Sequence, residues 1–101
     1  MQYGLKPEVV ERINGVFAAY PQVEQVILYG SRAKGTHTTA SDIDLCLKGE
    51  KLTLPLLLKI GNALDDLLLP YQIDLSILSE LDNPDLIEHI RRVGEVFFRK
   101  T

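Results

Sequence analysis

The 101-residue chain has one cysteine, two histidines, and no dense run of lysine and arginine. A lone cysteine closes no internal disulfide, so a reducing, cytoplasmic setting is the expectation. His37 sits in a polar stretch and His89 in a helical pattern. Neither has a second histidine at ligand spacing, so no zinc site is expected. Nucleic-acid binding rests on neutralising phosphates, and a formal net charge of −3 without a basic run argues against it as the main partner. Long hydrophobic runs are missing too. No segment has the pattern of a signal peptide. The most apolar region, Leu52 to Leu69, is interrupted by Pro55, Lys59, Asn62, Asp65 and Asp66, so no membrane span is expected.

What is present fits one globular domain, residues 1–101, with a modest core: 46% of residues are hydrophobic and 25% charged. Lys6 to Ala19 reads as a helix, with Pro7 at a first-turn position and Val9, Val10, Ile13, Val16 and Phe17 at helical spacing. Val23 to Tyr29 reads as a strand, Gly30 to Lys34 as a short helix, and Thr36 to Ser41 as a mobile polar loop. A strand over Asp42 to Leu47, a Leu-rich helix over Leu52 to Leu69 and a strand over Pro70 to Leu78 follow. Asn83 caps and Pro84 opens a last helix to about Val93, Gly94 stops it, and Val96 to Phe98 forms a terminal strand. The plan is α/β (α+β): a small mixed β-sheet flanked by helices.

The chemistry concentrates between Leu28 and Leu47. A hydrophobic strand delivers Gly30-Ser31, and ten residues later comes Asp42-Ile43-Asp44. Strand side chains alternate between faces, so Asp42 and Asp44 share one face while Ile43, Leu45 and Leu47 line the other. Like charges on one face repel, which calls for a cation between them; Mg²⁺ takes one or two carboxylates plus substrate phosphates. Asp74, on the polar side of its own strand, would complete a three-carboxylate cluster if that strand lies alongside. Such a cluster suits two divalent cations and an in-line phosphoryl displacement. Gly30 lets backbone approach phosphate closely, and the helix after it directs free N–H groups at the anion. Ser31 adds a hydroxyl. Arg32 or Lys34 would offset triphosphate charge, and Arg32 is favoured for its bidentate fork. Cys46 reads as a small buried hydrophobe rather than a nucleophile. The run Gly30 to Thr36 is no P-loop, because Thr36 stands where that motif needs lysine.

Gly30-Ser31-Arg32-Ala33-Lys34-Gly35, Ser41-Asp42-Ile43-Asp44-Leu45 and the later Asp74 resemble the polymerase-beta-type nucleotidyltransferase superfamily, in particular its minimal nucleotidyltransferases (MNT). The closing Ile90-Arg91-Arg92-Val93-Gly94-Glu95 is similar to that branch as well, although Lys34 stands where it commonly has arginine. The resemblance implies the polymerase-beta-like fold. It implies Asp42, Asp44 and Asp74 as catalytic residues and metal ligands for two Mg²⁺ ions (or Mn²⁺), and Gly30, Ser31 and Arg32 as the nucleotide-phosphate site. It further implies an antitoxin that moves AMP from ATP onto a hydroxyl, typically a tyrosine, of a helical HEPN-type toxin bound as a hetero-oligomer. The alternative is a nucleotide-binding or steric antitoxin without transfer activity.

The chain's small size leaves no residues for an acceptor wall, which the partner would then supply. Leu54, Leu57, Leu58, Leu64, Leu67 and Leu68 cover more of their helix than a one-sided core contact needs, so that helix is either fully packed or partly a partner surface.

Overall fold

Apolar spacing and local capping set each element of the chain, and the computed structural model describes all 101 residues. The first helix, α1 (Pro7–Ala18), buries Ile13 and Phe17. Strand β1 (Gln25–Tyr29) leads into the single-turn helix α2 (Ser31–Lys34), and a loop then returns the chain to β2 (Ile43–Lys48). Helix α3 (Leu54–Asp65) connects β2 to β3 (Ile73–Ile77); a 3-10 turn, Leu78–Glu80, precedes α4 (Pro84–Val93) and β4 (Glu95–Arg99).

The four strands lie in the order β3-β2-β1-β4. Strand β1 is antiparallel to both β2 and β4, whereas β2 and β3 are parallel. The sheet is therefore mixed, as expected. A parallel pair cannot be joined by a tight hairpin, and α3 supplies the crossover.

One sheet face carries the main core. Val26, Leu28, Ile43, Leu45 and Leu47 are completely buried there together with Leu5, Ile13, Phe17 and Ile60 from the covering segments. Each such side chain contributes about 1.5–3 kcal/mol of transfer free energy. The opposite face has a smaller cluster in which Tyr29 and Cys46 pack with Ile90 of α4. Helix α4 thus shields the β1 side of that face.

The Leu-rich helix is shorter than its composition suggests. Thr53 caps it, its hydroxyl accepting from the Leu56 amide at 3.3 Å, and the helix closes at Asp65. Leu68 then takes a left-handed φ of 55°, which no helix interior allows, so the apolar run Leu67 to Leu69 belongs to the connection. Ile60 and Leu64 are buried, but Leu54 and Leu58 are more than 60% exposed. Gly94 also plays a different part. Its φ of −61° is not left-handed; a Cβ there would instead collide with the Ile90 carbonyl and crowd Ile27. Close approach, rather than a left-handed turn, is what calls for glycine.

The α4 start forms as its sequence indicates, with Asn83 Oδ1 accepting from the amides of Asp85 (3.0 Å) and Leu86 (3.2 Å). Asn83→Ala leaves those amides without their cap. It is expected to lower unfolding free energy by about 1 kcal/mol, seen as a lower urea midpoint at unchanged m-value.

Candidate active site

Backbone pairing builds this site from the sheet outward. In the parallel ladder Asp44 stands opposite Asp74, and in the antiparallel ladder Tyr29 stands opposite Asp44. Residues opposed in a ladder project from the same face. Asp44, Asp74 and Tyr29 are thus brought to one end of the face that α4 partly covers. Asp42 lies one residue ahead of β2 and joins them from the incoming loop. Asp42 and Asp74 are exposed and Asp44 is half-buried.

Gathering three carboxylates has an electrostatic consequence. Burial, then Asp74, then Asp42 raise the Asp44 pKa above the ordinary carboxyl value, and nearby His89 works against them. Burial is also the main reason the Tyr29 phenol is pushed up; the Ser76 hydroxyl opposes this, while Asp74 and Asp44 add to it. The three carboxylates do not close on a common point: no three acidic, histidine or cysteine side chains gather tightly enough to hold an ion by themselves. The donor set nevertheless suits a hard divalent cation. It consists of carboxylate oxygens whose mutual repulsion His89 only partly offsets, and Mg²⁺ completes such shells with water and substrate phosphate.

Gly30 is fixed in place by this cluster. It has φ 75° and ψ −157°, a conformation closed to residues with a side chain, and a Cβ there would run into the Asp44 carboxylate. Asp44 can occupy its position only beside glycine. Ser31 follows as the first residue of α2. Because α2 is a single turn, it offers free first-turn amides rather than a sizeable macrodipole.

Arg32 does not join the carboxylates. Its side chain is 2% exposed. Nη1 donates to the Tyr3 carbonyl at 2.7 Å, Nη2 to the Ser41 carbonyl at 2.9 Å and Nε to the same oxygen at 3.3 Å. The guanidinium also lies over the Tyr71 ring, 5.0 Å from its centroid. Each of its three nitrogens donates to a backbone carbonyl, so it acts as a strut under the loop that presents Asp42 rather than as a phosphate clamp. That correction leaves Lys34, which is exposed, as the free cation of the turn. The loop itself is a hydrogen-bonded turn: the Thr38 amide donates to Ser41 Oγ at 2.9 Å and the Ser41 amide to the Thr38 carbonyl at 3.2 Å.

Two residues of this neighbourhood carry no local sequence signal. In the sequence Tyr29 marks only the end of a strand. His89, 59 positions beyond Gly30, accepts the Gly30 N–H through Nε2 at 3.1 Å and sets its ring edge-on to Tyr29 at 6.3 Å. Cys46 is wholly buried with its thiol pushed up to about 11, chiefly by burial, in keeping with a hydrophobic role. The largest concavity, about 620 Å³, is elsewhere, lined by residues such as Leu47, Lys48, Glu50 and Leu78 beyond the far end of β2.

The polymerase-beta nucleotidyltransferase family model matches residues 11–101. The chain belongs to this family. Its fold is that of solved family structures. The antitoxin-containing complex with AMP-PNP superposes with a TM-score of 0.72 at 20% identity, over 91% of this chain and 74% of that one. The tri-AMPylated Shewanella oneidensis HEPN toxin in complex with MNT antitoxin gives 0.68 at 16% identity, over 95% and 74%. The MntA–HepT toxin–antitoxin gives 0.68 at 16%, over 94% and 74%. No curated protein matches the chain in sequence. No helix is long and apolar enough to cross a membrane.

The raised Asp44 pKa sets a pH signature for this nucleotidyltransferase. In the native state Asp44 takes up its proton at higher pH than in the unfolded chain, so stability falls as pH rises from the ordinary value of 3.8 through the native one. The penalty is complete at neutral pH. Asp44→Asn removes it and is expected to raise Tm at pH 7 without divalent cation by a few degrees, roughly. The gain should close as acid protonates the wild-type carboxyl. Thermal melts at pH 7 and pH 3.5 check both parts.

Proposed function

We propose that the chain is a Mg²⁺-dependent nucleotidyltransferase that moves AMP from ATP onto a hydroxyl of a helical HEPN-type partner, as the antitoxin of a toxin–antitoxin pair. The observation that carries the reading is the Asp44–Asp74 register with Asp42 alongside and Gly30 pressed against Asp44. Three like charges on one patch are a liability for folding and an asset only with a cation and a triphosphate. The family assignment and the two structural relatives named for AMP-PNP and for an AMPylated HEPN toxin support the nucleotide and partner class.

In this mechanism the Gly30 and Ser31 backbone and the Ser31 hydroxyl receive the triphosphate, with Lys34 offsetting its charge. Asp42, Asp44 and Asp74 would hold the Mg²⁺, which supplies charge neutralisation on the phosphates and Lewis-acid activation of the attacking oxygen. Asp74, on the exposed edge strand, accepts the proton of the acceptor hydroxyl. The freed oxygen bonds to the α-phosphorus, the bond to the bridging α,β-oxygen breaks, and pyrophosphate leaves. The contribution of the chain is positioning and electrostatics. Asp42 and Asp74 open to solvent, so an acceptor reaches them from outside, as a partner side chain would. Tyr29, opposite Asp44 on the same face, is buried and is better suited to supporting the site than to accepting a nucleotide.

The test uses the purified chain, Mg²⁺ and ATP labelled on the α-phosphate, with and without the product of the adjacent gene. Label is expected on the partner and is expected to disappear, by at least about a hundredfold, with Asp42→Asn/Asp44→Asn. A stable complex that takes no label from any of the four common triphosphates would reject transfer in favour of steric neutralisation.

A further inference from the structure

Gly30 provides the backbone that the proposed site needs for phosphate, yet its N–H is already taken. His89 Nε2 accepts it at 3.1 Å. The contact joins positions 59 residues apart and is held from both sides. Gly30 is confined by its left-handed φ and by Asp44, while α4 is anchored by buried Ile90 immediately after His89. The imidazole is half-buried, its ring edge against Tyr29. An acceptor nitrogen at this donor does what a phosphate oxygen would do there: it satisfies an N–H that the turn cannot pair within itself.

We propose that His89 is a further residue of the nucleotide site, the internal acceptor that occupies the Gly30 N–H until a phosphate oxygen of the nucleotide replaces it. This rests on the reading of Gly30 as a phosphate-binding residue. Both acceptors need the same hydrogen along the same direction, so binding exchanges one hydrogen bond for another, and the ring withdraws as the phosphate arrives. Part of the intrinsic affinity for triphosphate is spent on that displacement. The residue that restrains nucleotide binding therefore sits on α4, the helix covering the neighbouring part of the face, rather than on the Gly-Ser turn.

The experiment measures calorimetric binding of AMP-PNP with Mg²⁺ to the full chain, as wild type, His89→Ala and His89→Phe. The Ala variant removes ring and acceptor; the Phe variant keeps a ring against Tyr29 and removes only the acceptor, and thermal melts establish that each is folded. The expected result is a Kd lower than wild type by about three- to tenfold in both, the range of one net hydrogen bond. Binding confined to the variants would support the same conclusion more strongly. Wild-type binding that is unchanged or weakened in the folded variants overturns the assignment of His89 and leaves the nucleotide site standing. No binding by any of the three overturns the nucleotide reading itself, and the role of His89 with it.

Discussion

Asp44 and Asp74 face each other, as do Cys46 and Ser76, on one side of a parallel ladder whose pairs on the other side, Ile43 with Ile73, Leu45 with Leu75 and Leu47 with Ile77, are apolar and partly or wholly buried. The hydrophobic pairs fix the register, because a slip of one residue would turn every one of them to the wrong face. Packing on one side of the sheet thereby enforces a charge repulsion on the other. Asp44 and Asp74 cannot leave their opposed positions without disturbing the core pairs, so their mutual repulsion is built into the fold.

The same constraint reaches the flanking turns. Asp44 needs the space beside Gly30, so the turn after β1 must be glycine and must adopt a left-handed φ. That turn in turn throws the chain into α2, where Arg32 drops inward and ties the Tyr3 and Ser41 carbonyls together. A buried guanidinium without an anion would be costly if its N–H groups were unmatched. Here carbonyls and the Tyr71 face meet it, and the loop carrying Asp42 is held as a consequence. Charge placement at the site therefore depends on an arginine that never touches the charges.

The strand and motif skeleton was largely legible. Gly30-Ser31, the Asp42/Asp44 alternation and the separate Asp74 strand are local patterns, and local patterns are what strand periodicity and turn chemistry express. Long-range partners are not expressed this way. Arg32 read as a phosphate clamp because a four-residue helix gives no phase by which to tell inward from outward, and the acceptors that draw it inward come from Tyr3 and Ser41. His89 looked like any polar residue on an amphipathic helix, since its significance comes from where α4 packs. The sequence pattern extends the Leu-rich helix too far for a related reason: Leu67 to Leu69 continue the apolar composition while the backbone at Leu68 has already turned left-handed.

Leu54 and Leu58 complete the logic of a small catalytic domain. Both lie on the first turns of α3, and each is more than 60% exposed while Ile60 and Leu64 of the same helix are buried. The sheet and α1 use only one stripe of this helix, because a single-layer core of this size cannot surround it. The carboxylate end is similarly open: Asp42 and Asp74 are solvent-exposed and the principal cavity is at the other end of β2. On the proposed reading, the domain gathers the charges for phosphoryl chemistry while leaving that end open to solvent. The sheet register holds the opposed carboxylates; on the proposed reading, confinement of the acceptor would be left to whatever surface meets the open end.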